Sequence, residues 1–221
     1  MNKFALTPSE LFEEIPEELA PYFGKANFAW EIVPQIKDII VSILSSCSNK
    51  YKLLDHDVLI GKNVKIDRLA TINGPAIIGD NVEIRPGAYI RGNVYIGEEC
   101  VIGNSTELKN CILLKHVQVP HYNYVGDSIL GNYSHMGAGS ICSNLRSDGK
   151  EVIVHADKDY PSGLRKLGSI LGDRADIGCG SVLNPGTIIG KNTQVYPLTM
   201  TRGAYPGDSI VKSTNEVVKK R

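Results

Sequence analysis

From Ile60 onward an aliphatic residue returns at every sixth position: Ile60, Ile66, Ile72, Ile78, Ile84, Ile90, Ile96, Ile102 and Leu108. Two places before each stands a small or β-branched residue: Val58, Val64, Ala70, Ala76, Val82, Ala88, Val94, Cys100 and Thr106. Glycine often follows the aliphatic position, as at Gly61, Gly79, Gly97 and Gly103. The pattern slips by one residue to Leu113, Val119 and Val125, slips again to Leu130, Met136 and Cys142, and returns as Leu171, Ile177, Leu183, Ile189 and Val195. Helices and ordinary strands repeat about every 3.6 and 2 residues, so neither has this period. A triangular coil of parallel strands does, with three six-residue sides to a turn. The aliphatic residue fills the interior, the small residue fits near the corner, and glycine allows the bend. Successive coils stack about 4.8 Å apart, so the backbone pairs coil to coil. About twenty hexads, three to a turn, predict between six and seven coils. The fold class is therefore all-β, a parallel β-helix spanning 51–211, with a tail at 212–221.

Two segments depart from the repeat. Residues 1–50 read as a helical appendage. Thr7-Pro8-Ser9-Glu10 has capping-box spacing with proline at the first helical position. Pro34 predicts the start of a second helix over Gln35 to Ser46, with Ile36, Ile39, Ile40, Ile43 and Leu44 forming its apolar stripe. The appendage is expected either to cap the open end of the solenoid, as terminal repeats must, or to dock a partner. Residues 145–168 read as a polar loop thrown out of the coil, and inserted loops of that length are usually functional or disordered.

Composition narrows the function. Among 221 residues, 24 basic and 24 acidic side chains cancel, so no net positive field favours nucleic acid or an acidic membrane face. The longest strongly apolar run, Ile39 to Leu44, is far short of the roughly 20 residues that span a bilayer. The N-terminus carries no basic-then-apolar leader. Cys47, Cys100, Cys111, Cys142 and Cys179 are odd in number and never spaced C-x-x-C, which favours reduced thiols in a cytoplasmic protein over disulfides or a zinc site.

Particular residues then suggest a family. The hexad pattern resembles the left-handed β-helix acyltransferases. Arg85-Pro86-Gly87-Ala88, the segment from Val119 to Asp127 and Gly137-Ala138-Gly139-Ser140, with Asn144 and Lys150, narrow the likeness. Together they resemble the C-terminal acetyltransferase domain of bifunctional sugar-1-phosphate nucleotidyltransferase / glucosamine-1-phosphate N-acetyltransferases, in particular the archaeal-type branch. The likeness covers roughly Ile60 to Val211, and it supplies the left hand of the helix, since connections between parallel strands are otherwise right-handed. Only one glycine, Gly24, lies in residues 1–50, so the phosphate loop of the family's nucleotidyltransferase half is absent there. Uridylyl transfer by this chain alone is not expected.

The resemblance implies acetyl-CoA as co-substrate, no metal, and a homotrimer with its sites in the clefts between prisms. His121 matches the general base. It stands two places after the inward Val119 and so faces outward, and an imidazole can accept a proton near neutral pH. Arg85 and Lys109 match cations on the sugar phosphate. Tyr124, Asn144 and Lys150 match substrate contacts. Ala138 matches the approach of backbone N–H groups to the thioester, and Arg165 and Lys166 are candidates for the CoA phosphates. His56, His116 and His155 lack the motif and are expected to be solvated. Arg91 and Lys109, eighteen residues apart, should stack on one face with a phosphate or acidic group between them. The chain departs from the family at His135, where an asparagine is usual in the uridylyltransferase branch, and at Leu145 and Ile153. The implied function is N-acetylation of an amino-sugar 1-phosphate. A non-catalytic sugar-nucleotide-binding scaffold for a separate nucleotidyltransferase chain and O-acetylation of another sugar are the alternatives.

Overall fold

A computed structural model describes residues 4–46 and 50–220 of the chain, so Cys47 lies outside the described residues. The repeat forms a left-handed parallel β-helix of about nine turns. This exceeds the six to seven coils expected, because coils are not uniformly eighteen residues and continue past the last recognised hexad. Val58 pairs with Ala76 and Ala76 with Val94, but Val94 pairs with Cys111 and Ile188 with Ala204. The one-residue slips are shortened corners. Asn110, in the left-handed region at φ 48°, makes in one residue the bend that Gly92 and Asn93 make one coil earlier. Asparagine tolerates that conformation better than most side chains.

The hexad aliphatics, from Ile78 and Ile84 to Leu183, Ile189 and Val211, fill the prism in one continuous core. Hydroxyls at the small position tie adjacent coils: Thr106 donates to the Val119 carbonyl at 2.9 Å and Ser181 to that of Tyr196 at 3.0 Å. The three faces differ sharply. One carries Leu59, Ile77, Tyr95, Ile112, Ile129, Ile170 and Ile188 outward, all buried. A second carries Gln118, His135 and Asp176 in register. On the third, Tyr89, Glu107, Tyr124, Ile141, Val182 and Met200 stand in register, facing solvent in whole or in part.

The N-terminal appendage covers the first face lengthwise and does not cap an end. Leu11, Leu19, Trp30, Ile32, Ile36, Ile39 and Ile40 pack against that outward apolar ladder as a second core. The predicted helix start at Thr7 is present, with a complete capping box before Pro8–Leu11. Pro34 falls within a 3-10 turn, Ala29–Gln35, and the α-helix follows at Ile36–Ser46. The segment 11–18 is strapped along one corner. Asp173 accepts from the Glu13 backbone at 2.7 Å, Asn132 donates to the Glu14 carbonyl at 3.0 Å, and Arg174 pairs with Glu13 at 2.9 Å.

The insertion at 145–168 is also more apolar in place than its sequence suggested. It folds as a hairpin, Ile153–His155 against Asp159–Pro161, with Val152 and Val154 buried on the covered face. Tyr160 meets Phe28 and Trp30 edge-on, with ring centroids 5.4 and 6.2 Å away, so insertion and appendage share one seam. Cys100, Cys111 and Cys142 are buried free thiols; burial pushes Cys100 and Cys142 up to about 12. Cys179 is free and exposed.

If the covered face carries the weight of this packing, Ile112→Ala should destabilise the chain by about 2–4 kcal/mol, the usual cost of a cavity under a buried isoleucine. Urea unfolding followed by tryptophan fluorescence checks this; a loss below about 0.5 kcal/mol would show that the helices rest loosely on the prism.

Candidate active site

His121 closes the strand Gln118–His121 and sits at the corner between the second and third faces, exposed. Backbone bonds put it in a column with Asn104 one coil away and Ala138 one coil on the other side: Tyr122 N–H donates to the Asn104 carbonyl and Gly139 N–H to that of His121. The next residue, Tyr122, occupies the left-handed region at φ 52° without being glycine. Such strain persists only where surroundings fix it. Here the fixing group is Asn123. Its side-chain oxygen accepts from the His121 N–H at 3.1 Å, and its amide nitrogen donates to the Gly137 carbonyl at 2.8 Å and to Ser140. Asn123 is buried at a position where neighbouring coils carry Ala88, Thr106, Ser140 and Ser181. Close approach is needed too: a Cβ on Gly103 would meet the Pro120 carbonyl oxygen at 1.6 Å. The His121 side chain has no hydrogen bond or ion pair among the described residues, which leaves both ring nitrogens available.

In the Gly137-Ala138-Gly139 turn, Gly137 N–H donates to Ile177 and Gly139 N–H to His121. Among the described residues the Ala138 N–H has no acceptor, and Ala138 is exposed. One backbone donor therefore remains one coil from His121.

The neighbouring corner gathers three other candidates around an acid that closes the sequence motif but had been given no role of its own. Asp127 is 5% exposed and in the left-handed region at φ 50°. It takes Lys109 Nζ at 3.4 Å, Asn110 Nδ2 at 2.8 Å and Asn144 Nδ2. Asn144 also donates to the Tyr124 hydroxyl at 3.2 Å. Lys109, Tyr124 and Asn144 thus form one network across three coils. Burial first, then the Asp127 and Glu107 carboxylates, raise the Tyr124 phenol above its ordinary value, so it stays a protonated donor. The signal for Asp127 lay in the sequence: a carboxylate one coil from Asn110 at a corner. The insertion leaves immediately after Asn144, and its return is tied there by Leu167 N–H on the Asn144 carbonyl at 3.0 Å.

Arg91 and Lys109 do stack in successive coils, yet each takes its own carboxylate. Arg91 holds Glu107 at 2.6 Å and Lys109 holds Asp127, so the acidic groups expected between them are two separate partners. Arg85 lies on the His121 corner two coils away and holds Glu83 at 2.8 Å. Lys150, Arg165 and Lys166 are exposed on the insertion, where the Lys150 backbone donates to the Asp148 carboxylate that also holds Arg146, and none of the three is brought to His121 or Lys109 among the described residues. A cavity of about 510 Å³ opens under the insertion, lined by Leu145, Arg146, Asp148, His155, Met200 and Arg202 among others, and His121 is not part of it. His116 and His155 are not simply solvated. His116 meets Glu99 at 3.2 Å and stacks on Tyr133, and His155 meets Asp159 at 2.6 Å. His56 is fully exposed.

Among known proteins, the model of the family described as "GMPPB C-terminal domain" matches residues 72–158. The chain is 38% identical over 212 residues to the bifunctional protein GlmU of Methanococcus maripaludis strain S2, covering 92% of this chain and 51% of that protein. An uncharacterized acetyltransferase of Escherichia coli K12, YaiX, is 36% identical over 151 residues, covering 68% of this chain and 66% of that protein. A crystal structure of a mutant of AntD, an N-acyltransferase from Bacillus cereus, in complex with dTDP and coenzyme A, matches with TM-score 0.42 and 21% identity over 79% of this chain and 92% of that one. The chain spans about half the length of the GlmU protein it matches.

Asp127→Ala leaves a lysine and two amides without their shared acceptor at a buried corner. It should cost about 2–4 kcal/mol of stability, read as a lowered urea midpoint. An unchanged midpoint would mean that water satisfies Lys109 and Asn144 equally well.

Proposed function

Because the chain belongs to the left-handed β-helix, hexapeptide-repeat acyltransferases, we propose that it transfers the acetyl group of acetyl-CoA to the amine of an amino-sugar 1-phosphate of the glucosamine-1-phosphate type. The observation that carries this reading is the unpartnered His121 imidazole, held outward on a strained, locked turn one coil from the free N–H of Ala138. Acetyl transfer needs those two parts and little else. The amine nitrogen attacks the thioester carbonyl carbon, the C–N bond forms and the C–S bond breaks. His121 takes the proton from nitrogen, the Ala138 N–H donates to the oxyanion, and the departing CoA thiolate is protonated from solvent.

The phosphate end of the acceptor is met by Lys109 beside Tyr124 and Asn144, a cation with two neutral donors. An arriving phosphate would compete with Asp127 for Lys109 and Asn144, and that carboxylate would keep the ammonium in place in its absence. Arg85, Lys150, Arg165 and Lys166 are spread over other parts of one chain. A homotrimer, with the cleft between prisms as the site, would let a neighbouring protomer's copies of these side chains complete it. The apolar ladder of Tyr89, Ile141, Val182 and Met200 supports such an association. We place the protein in the cytoplasm, where acetyl-CoA and reduced cysteines coexist.

His121→Ala should lower kcat by about 10²–10⁴-fold in a thiol-release assay with acetyl-CoA, with thermal unfolding unchanged because the side chain is exposed. An unaltered rate would reject His121 as the base. A folded wild-type chain that binds sugar nucleotides but never releases CoA would favour the scaffold reading.

A further inference from the structure

Basic side chains also gather beneath the insertion, around the cavity of about 510 Å³. Its place follows from the register. Gly126, Ser143, Asn184 and Arg202 follow Lys109 one coil at a time on the same column. Arg202 therefore stands four coils from Lys109, about 19 Å along the rod at about 4.8 Å a coil. One phosphate cannot reach both, so the two cations serve different groups.

The hairpin of the insertion is seated on the prism through two glycines. Gly186 and Gly203 occupy left-handed backbone at φ 78° and 84°. A Cβ on Gly203 would meet the His155 carbonyl oxygen at 2.5 Å, and one on Gly186 the Ile153 carbonyl oxygen at 3.2 Å. Close backbone approach at both turns fixes the hairpin, and with it the wall of the cavity.

The lining is unbalanced in charge. Arg146 and Arg202 share one carboxylate, Asp148, and Asp148 binds Arg146 at 2.7 Å. Arg202 is exposed and has no carboxylate partner among the described residues. Its Nη2 lies 3.0 Å from His155 Nε2, and His155 is backed at Nδ1 by Asp159 at 2.6 Å. The Ser143 and Ser147 hydroxyls, also in the lining, have no hydrogen-bond partner among the described residues. Leu145, Ile153 and Pro185 supply an apolar side. A guanidinium with uncommitted N–H groups beside hydroxyls suits phosphoryl oxygens, and the apolar side suits the flat base of a nucleotide. The volume falls within the roughly 300–1,000 Å³ of small-molecule sites, more room than a lone phosphate requires.

We infer that this cavity is a nucleotide-binding site. Arg202 and Arg146 hold the phosphoryl groups, and Leu145, Ile153 and Pro185 pack on the base. The site is separate from His121 and Lys109 and stands whether or not the chain transfers acetyl groups. The ligand is a nucleoside bearing two phosphoryl groups, supplied by a nucleotide sugar or by the nucleotide end of coenzyme A. Because Asp148 competes for Arg146, Arg202 carries the larger share of the affinity.

The test is calorimetric binding of UDP, 3′,5′-ADP and inorganic pyrophosphate to the full chain, with thermal unfolding confirming that each variant is folded. Either nucleotide binding more tightly than pyrophosphate supports the site, and the tighter of the two names the source. Arg202→Ala should raise the Kd of that nucleotide by about 10–100-fold, the loss of a charge-assisted hydrogen bond, and Arg146→Ala by a smaller factor. Arg202→Lys should recover part of the loss. His121→Ala and Arg68→Ala, the latter an exposed cation on the first coil, should leave the Kd unchanged. Pyrophosphate binding as tightly as both nucleotides would overturn the inference, because the base would then add nothing. So would a folded wild-type chain that binds neither nucleotide, or a Kd raised by Lys109→Ala and untouched by Arg202→Ala. An equal loss in Arg68→Ala would reveal diffuse attraction and would overturn it as well. None of these failures touches the acetyl-transfer reading, which is decided by thiol release and His121→Ala.

Discussion

Parallel backbone hydrogen bonding from coil to coil is the constraint on which everything else rests. Once Ile102 is in register with Val119 and Leu108 with Val125, each corner and each outward position becomes a column with a rise of about 4.8 Å. Residues seventeen or eighteen apart are then neighbours by construction. His121 and Ala138 share one corner because they share a position in the turn. Lys109, Asp127 and Asn144 meet at the next corner for the same reason. No long-range folding coincidence is needed to assemble either group.

A prism with three faces must also dispose of three outward surfaces. Here one is apolar and permanently covered by the appendage and the insertion, which pack together through Phe28, Trp30 and Tyr160. That coverage fixes where the insertion can leave and return, and so fixes Asn144 at its mouth. The polar second face carries His135 and Asp176. The mixed third face, with Tyr124 beside a ladder of exposed apolar residues, is the one proposed above for association. The proposed catalytic base, the proposed phosphate-binding group and the exposed apolar ladder thereby lie on different edges of one rod. Such a division suits a site shared between protomers.

Much of this was legible in the residues, and the misses have physical causes. The six-residue period fixed the coil and its inward positions because core packing repeats at every turn. The outward ladder Leu59, Ile77, Tyr95, Ile112 has a period of three hexads and was hidden behind the shorter one. Read at eighteen residues, it would have placed the appendage along a face. The insertion reads as polar because only alternate residues of its hairpin, Val152 and Val154, point inward. His121 and Tyr124 drew roles from the local motif, whereas Asn123 and Asp127, inside the same motif, drew none. Each looks like an ordinary corner residue until stacking reveals what lies one coil away. His116 and His155 were misjudged for the same reason, since Glu99 lies one coil from His116, and the partner of His155 lies across a hairpin.

Acceptor-dependent release of CoA is the most direct measurement. Purified wild-type chain is incubated with acetyl-CoA and, separately, glucosamine-1-phosphate, galactosamine-1-phosphate, UDP-glucosamine and free glucosamine, with thiol followed by absorbance and product by mass. Acetyl transfer predicts CoA release in step with one added acetyl group per sugar, fastest on an acceptor bearing an anomeric phosphate. Release no faster with any amino sugar than without one, from a folded protein shown to bind CoA, would contradict it.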